Sequence, residues 1–139
     1  MHRIVVPYRR EETLRAILAK YRLQLVDALS TACAIDVNGD FELDVEFLDI
    51  PQNVMAKTAD VLRYVDNHGR RCLNIPETLS LGLVMTDKVL ICLGQRHQGP
   101  CMEHALVTIH KEARFTGFYG PWNKGRHLIP VTTTPDILA

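Results

Sequence analysis

The sequence predicts a single α+β domain in which antiparallel β-hairpins pack against two or three helices. An Asn-Gly pair stands between two apolar runs, which is typical of a β-hairpin. Two further segments repeat apolar residues at steps of three and four, which is typical of amphipathic helices. The 139 residues contain no repeat, linker or low-complexity segment, so we predict one domain spanning 1–139.

The N-terminal part predicts a short strand and a long helix. Ile4–Val6 is an apolar run that ends at Pro7, as a short strand does. From Glu11 to about Thr31 or Ala32, apolar residues recur on one helical face and charged residues on the other. The apolar positions are Leu14, Ile17, Leu18, Tyr21, Leu25 and Leu29.

The hairpin prediction rests on Asn38-Gly39. Both residue types tolerate the positive φ that a two-residue turn requires. The run 34–37 precedes the turn, and the run 40–47 alternates strictly between apolar and acidic residues. The apolar set is Phe41, Leu43, Val45 and Phe47, and the acidic set is Asp40, Glu42, Asp44 and Glu46. One face of this strand is therefore predicted to face water.

A second helix is predicted to open at Pro51 and Asn53 and to end near Gly69, because glycine commonly follows a helix C-terminus. Its inward positions are Val54, Thr58, Val61, Leu62 and Val65. Cys72–Ile75 is a candidate strand.

The remaining elements are less regular. The apolar runs Thr78–Val84 and Lys88–Leu93 predict a second hairpin. His104–Arg114 predicts a third helix, although the β-branched run Leu106–Ile109 leaves a strand open. From Phe115 the frequent glycine and proline predict loops.

The amino-acid composition limits the classes of partner that the protein is expected to bind. The chain has 16 lysine and arginine residues and 16 aspartate and glutamate residues, so its formal net charge is zero. Without an excess of positive charge, binding of a long nucleic acid is not favoured. No stretch is apolar enough to cross a membrane, and the N-terminus lacks the apolar run of a signal peptide. The four cysteines are too widely spaced for a CxxC motif, which predicts free thiols. We therefore expect a cytoplasmic protein without a membrane partner.

Reactive side chains are densest between Arg96 and His110. His97, Cys101 and His104 could form a zinc site, or Cys101 and a histidine a nucleophilic pair. Their spacing matches neither a common zinc finger nor the nucleobase deaminase signature. We therefore predict no metal, no cofactor and no catalytic residue.

Residues 115–127 carry the favoured candidate site. They hold four of the nine Phe, Tyr and Trp residues, interleaved with glycine, amide and cationic side chains. Aromatic rings stack on bases, arginine and lysine bind phosphates, and glycine lets backbone N–H groups approach an anion. The bland alternative is a turn-rich segment whose aromatic residues cover the core.

The predicted ligand-binding residues have three roles. The cations expected to bind phosphate are Arg96, Lys124 and Arg126. The rings expected to stack on a base are Phe118, Tyr119 and Trp122. The groups expected to form hydrogen bonds with the ligand are His97 and Asn123.

This part of the chain resembles a group of small phage proteins. The motifs are Gly94-x-Arg96-His97, Cys101, Gly117-Phe118-Tyr119 and Lys124-Gly125-Arg126-His127-Leu128, all in the last third of the chain. Such proteins include the Thoeris anti-defence sponges, which sequester nucleotide signals derived from NAD without cleaving them. The resemblance implies a homo-oligomer whose adjacent subunits enclose the signal with aromatic and arginine side chains. For a phage-encoded protein it implies action in the host-cell cytoplasm.

The expected function is non-enzymatic binding and sequestration of a small phosphorylated nucleotide-like ligand. Two alternatives stay open. One is a small enzyme acting on a nucleotide or a related small molecule, with His97 and Cys101 or His104 as catalytic groups. The other is a protein-interaction module that presents the acidic hairpin face to a basic partner. The acids of that face are Glu42, Asp44 and Glu46.

Overall fold

A computed structural model of the chain describes residues 2–8, 39–98, 103–110, 112–117, 123 and 125–136. These residues form two four-stranded sheets and two α-helices, which confirms the predicted α+β class. The strands are β1 (His2–Tyr8), β2 (Gly39–Phe47), β3 (Arg71–Cys72), β4 (Val89–Gln98), β5 (Glu103–Ile109), β6 (Glu112–Gly117), β7 (His127–Leu128) and β8 (Pro130–Thr132). The helices are α1 (Thr58–Asn67) and α2 (Ile75–Val84), and Val54–Ala56 forms one turn of 3-10 helix.

The first sheet has the strand order β1-β2-β8-β3, and its neighbouring strands are antiparallel. Ile4 pairs with Leu43 across β1 and β2. The predicted alternation along β2 is confirmed, because Leu43 and Val45 are buried whereas Asp40 and Glu42 are exposed. The sheet therefore buries an apolar face and leaves acidic residues on the opposite one.

Two predictions for the N-terminal part lie outside the described residues. They are the helix from Glu11 to about Ala32 and the first hairpin strand, 34–37. Within the described residues, β2 pairs with β1 over its length to Val45 and with β8 at Glu46 and Phe47.

The second sheet has the order β6-β5-β4-β7, in which β7 runs parallel to β4. The predicted third helix, His104–Arg114, is wrong. Its residues form the β5–β6 hairpin, so the strand alternative for Leu106–Ile109 is confirmed. Consecutive β-branched residues favour a strand. A segment of this length is too short for its apolar pattern to distinguish the helical period of 3.6 residues from the strand period of two. His110 turns the hairpin at φ 52°, and its N–H donates to the Thr86 carbonyl at 2.9 Å.

Both faces of the second sheet are covered. Leu90 and Cys92 pack in a cluster with α2 and the first sheet, whereas Ile91 and Leu93 pack in a cluster with α1. Strands that are buried on both faces are continuous apolar runs without polar alternation. This explains why Lys88–Leu93, which was correctly predicted as a strand, shows no period of two.

The predicted second hairpin is wrong in its first half, because Thr78–Val84 belongs to α2. Asn74 is the N-cap of this helix and accepts a hydrogen bond from the Glu77 N–H at 3.0 Å. The Glu77 carboxylate accepts in turn from the Asn74 N–H at 2.9 Å, which completes a capping box, and Pro76 lies in the first turn. Most of the helix is buried, so it lacks the polar stripe that usually reveals a helix.

The second predicted helix is confirmed as α1, although it starts at Thr58 because residues 54–56 form a separate 3-10 turn. The C-terminus of α1 lies next to Gly69, as predicted from the sequence. The Arg70 N–H donates to the Val65 carbonyl at 3.1 Å, and the Gly69 N–H donates to the Asp66 carbonyl at 3.0 Å. Gly69 has φ +69°, which completes a Schellman motif. Of the candidate strand Cys72–Ile75, only Cys72 lies in a strand.

The segment 127–132 links the two sheets. His127 pairs with Val89 of β4 in β7, and beyond Ile129 the chain pairs with β2 and β3 as β8. Ile129 and Val131 are buried, so the crossing is held by core packing. It brings the turn that precedes β7 beside the C-terminal end of β2. Within the described part of the chain, neither helix is long and apolar enough to span a membrane.

Candidate ligand-binding site

The turn from Asn123 to His127 is organised by Asn123. Its carbonyl accepts from the Arg126 N–H at 3.0 Å and from the His127 N–H at 2.7 Å. Its side-chain Oδ1 accepts from the Gly125 N–H at 2.9 Å, and its own N–H donates to His127 Nδ1 at 2.9 Å. Four hydrogen bonds therefore converge on one residue. Asn123, predicted to contact a ligand, shapes the turn through its Oδ1 and backbone.

His127 connects this turn to the second sheet. Partial burial lowers the pKa of His127, and the nearby positive charge of Arg126 lowers it further. Because Nδ1 accepts a hydrogen bond, the neutral ring carries its proton on Nε2.

A cavity of about 290 Å³ opens beside His127. Its wall is mainly apolar and comes from the end of β2, the 3-10 turn and the β7–β8 crossing. The lining residues are Phe47, Leu48, Asp49, Ile50, Met55, His127, Leu128 and Ile129. The Phe47 ring is held edge-on by His2, with the ring centres 5.9 Å apart. Apolar walls with a few polar groups are typical of small-molecule sites.

Arg126 is an exposed cation in the turn that leads into this cavity. It precedes His127, which lines the cavity, and its backbone N–H is held by Asn123. An arginine guanidinium is suited to binding a phosphate or carboxylate, so this exposed side chain is a candidate contact for an anionic ligand.

The other predicted site residues divide into two groups. Phe118, Tyr119, Trp122 and Lys124 lie outside the described residues. Arg96 and His97 lie in β4, where they pair with Ala105 and His104. Leu90, near the turn, pairs with Thr108, which is three residues and therefore roughly 10 Å along β5 from Ala105. Along the strand direction, the backbone of Arg96 therefore lies away from the turn that contains Arg126.

A bulge in β4 sets the level of Arg96. Cys92 pairs with Leu106 and Arg96 with the adjacent Ala105, so Leu93–Gln95 has no counterpart in β5. Gln95 Oε1 accepts from the Ile75 N–H at 2.9 Å, which ties the bulge to the start of α2. This bulge was not predicted from the sequence, in which Gly94 after an apolar run is the available signal.

The groups considered for catalysis are only partly described. His97 and His104 occupy directly opposite positions in the β4–β5 ladder, and Cys101 lies outside the described residues. Burial raises the pKa of the Cys92 thiol to about 11, so this cysteine is a poor nucleophile at neutral pH. Among the described residues, no group of three or more His, Cys, Asp or Glu side chains is arranged to hold a metal ion.

The acidic face of β2 is partly neutralised within the chain. Arg3 donates to the Asp44 carboxylate at 2.9 and 3.2 Å, and Arg70 pairs with Glu46. The bonds from Arg3 hold the pKa of Asp44 below its ordinary value. Two of the three acids proposed to meet a basic partner are therefore already paired.

The cavity residues Phe47, Met55 and Ile129 were not predicted as site residues. Each is apolar and follows the pattern of a core position, so their arrangement around an open space depends on the crossing of segment 127–132. No local motif in the sequence distinguishes them from core residues.

No protein-family model matches the chain, and no curated protein or solved structure shows significant similarity to it.

Proposed function

We propose that the protein binds and sequesters a small phosphorylated nucleotide-like ligand without converting it. The observation that carries the proposal is the cavity of about 290 Å³ beside the braced turn that presents Arg126. An apolar space next to an exposed cation suits a ligand with a flat ring and an anionic group.

The proposal assigns a role to each wall of the site. The ring enters between Phe47 and the apolar residues of the crossing, where water is displaced from both surfaces. The phosphate meets the Arg126 guanidinium. Sequestration requires affinity but no acid–base pair at the ligand. The resemblance to sponge proteins adds that a second subunit closes the site and that the protein acts in the cytoplasm.

The first experiment identifies the ligand. Protein is incubated in lysate of signal-producing cells, repurified and heated, and the released small molecules are analysed by mass spectrometry. The expected result is an intact phosphorylated nucleotide-like compound in stoichiometric amount. Recovery of a converted product, or of no such compound, would contradict the proposal.

The second experiment tests the site by equilibrium binding of the released compound to two arginine variants. Arg126→Ala removes an exposed side chain whose residue is held through its backbone, so the fold is expected to be kept. Loss of a charge-assisted phosphate contact should weaken binding by about 10- to 100-fold. Arg63→Ala is the matched control, because Arg63 is 71% exposed on α1 and lies outside the cavity. Equal affinities of the two variants would remove Arg126 from the site.

A second candidate is a small enzyme acting on a nucleotide. The specific observation in its favour is that His97 and His104 are directly opposite in the β4–β5 ladder. Incubation with a nucleotide panel, followed by chromatography, distinguishes the candidates. If the protein forms a product, and if His97→Asn and His104→Asn each abolish product formation, the protein is an enzyme and the sequestration proposal is wrong.

A further inference from the structure

A second cleft, of about 260 Å³, lies between α1, the bulge of β4 and residue 136. Its floor is apolar and is formed by side chains of α1, β3 and β4. The floor residues are Leu62, Val65, Cys72 and Leu93. Charged side chains stand among the other lining residues, so the cleft combines an apolar floor with ionic groups.

Arg71, which also lines this cleft, serves the fold. Its Nη1 and Nη2 donate to the two carboxylate oxygens of Glu77, each at 2.8 Å. Its remaining N–H groups donate to backbone carbonyls of Cys72, Thr134 and Pro135. All five guanidinium N–H groups thus have acceptors within the chain, and none is left for a ligand.

Arg70 and Asp66 differ from Arg71. Arg70 uses Nε for Glu46 and Nη1 for the His68 carbonyl, and no described residue accepts a hydrogen bond from its Nη2. The Asp66 side chain is exposed and forms no ion pair or hydrogen bond with any described residue. Asp66 and the Nη2 group of Arg70 line one cleft without pairing with each other, so each can meet the opposite charge of a ligand.

The position of Asp66 is electrostatically unfavourable for the isolated chain. It lies in the last turn of α1, where the helix dipole is negative, and that turn contains no basic residue. A ligand ammonium beside Asp66 would meet both the carboxylate and the negative end of the helix. Local arrangements that disfavour the free protein are expected where a ligand is bound.

The bulge of β4 forms one wall of this cleft through Leu93 and Gly94. A Cβ at Gly94 would lie 2.3 Å from the Leu73 carbonyl oxygen and 2.7 Å from that of Cys72. The bulge is therefore packed directly on the backbone of residues 72–73, and its glycine contributes no side chain to the cleft. An exposed glycine at such a wall lets a ligand approach the backbone.

We propose that this cleft binds a free α-amino acid with an aliphatic side chain. The ammonium group meets Asp66 at the end of α1, the carboxylate meets Nη2 of Arg70, and the side chain lies on Leu62, Val65 and Leu93. A zwitterion gives Asp66 a cationic partner and gives Nη2 of Arg70 an acceptor, whereas a simple anion or a simple cation would meet only one of these two groups.

The test titrates the full chain with L-leucine and follows amide NMR shifts of α1 and the β4 bulge. Leucinamide, which lacks the carboxylate, and 4-methylpentanoate, which lacks the ammonium, are the matched probes. Because the cleft is open to water, a dissociation constant on the order of 1 mM is expected for leucine. Each matched probe should bind at least about fivefold more weakly, since it loses one charged contact.

Variants locate the two charged contacts. Asp66→Asn and Arg70→Gln should each weaken leucine binding by about five- to tenfold. Asp60→Asn is the control for Asp66, because Asp60 is an acid on the same helix outside the cleft. Glu46→Gln is the control for Arg70. It removes the Arg70–Glu46 ion pair but keeps the guanidinium, so leucine binding should persist.

Three outcomes would overturn the proposal. One is the absence of shifts with leucine and with every other aliphatic amino acid at tens of millimolar. Another is equal binding of leucine and its two matched probes. The third is unchanged binding by both Asp66→Asn and Arg70→Gln. The site is separate from the cavity beside Arg126, so Arg126→Ala should leave leucine binding intact.

Discussion

Arg71 and Arg126 show two opposite uses of the same side chain. Arg71 is 21% exposed and has an acceptor for every guanidinium N–H, including a buried carboxylate. Arg126 is exposed and is held in place through its backbone N–H. The first arginine joins β3, α2 and the C-terminal segment, whereas the second offers its charge to water. In this chain, the saturation of donors distinguishes a structural cation from one that can bind a ligand.

The largest effect is expected from breaking the saturated network at Glu77. This residue is 3% exposed and accepts from Arg71 through both oxygens and from the Asn74 N–H. Glu77→Ala would leave a partly buried guanidinium without its anion and open the capping box. Removing one partner of such a pair costs about 3–5 kcal/mol. The free energy of unfolding, measured in urea, should fall by that amount.

Asp60→Ala is the control for this prediction. Its carboxylate pairs with Arg63 at 3.5 Å, and both side chains are well exposed. Such a surface pair contributes less than about 1 kcal/mol. If the two variants lost similar stability, the distinction between saturated and exposed charges would have no energetic meaning here.

Gly94 and Gly125 allow the same comparison between a tightly packed and an exposed position, with smaller expected changes in stability. A Cβ at Gly94 would collide with the backbone of Leu73, whereas a Cβ at Gly125 would lie 3.4 Å from Asn123 Oδ1, an ordinary contact. Gly94→Ala should therefore destabilise the fold by about 1–3 kcal/mol, because the bulge must move. Gly125→Ala should change the free energy of unfolding by less than about 0.5 kcal/mol. Thermal unfolding of the two variants checks both values, and a neutral Gly94→Ala would contradict the tight packing of the bulge.

The elements that the sequence predicted correctly have local signals. The alternation along β2 and the glycine after α1 each act within a few residues, so they need no knowledge of the rest of the fold. α2 was missed because burial on most sides removes its polar stripe. The capping box of Asn74 and Glu77 would have revealed it.

The candidate sites depend on contacts between distant segments. The first cavity joins Phe47, Met55 and Ile129, and the second cleft joins Asp66 to Gly94. No motif encodes such a meeting, because each residue alone fits a core, helix or turn position. Arg126 could be proposed from the sequence because cations and glycines cluster around it, whereas Asp66 and Arg70 look like ordinary surface charges.

The smallest effect is expected from the pH dependence of the turn at His127. Burial, together with the charge of Arg126, lowers the pKa of this imidazole below the ordinary value of 6.5. The unfolded chain therefore takes up the proton first as the pH falls. Stability from the neutral ring is fully present above about pH 6.5 and is lost as the pH falls through the lower folded-state pKa. Because His127 is only partly buried, the loss should be a few tenths of a kcal/mol.

NMR titration of the His127 ring protons should give a midpoint below 6.5, and His127→Gln should remove this part of the pH dependence of unfolding. Protonation also ends the acceptance by Nδ1 of the Asn123 N–H, so the Asn123 and Gly125 amide signals should shift with the same midpoint. A midpoint above 6.5 would mean that a negative charge stabilises the protonated ring. The turn beside Arg126 would then be an anionic environment, which is the opposite of what a phosphate site requires.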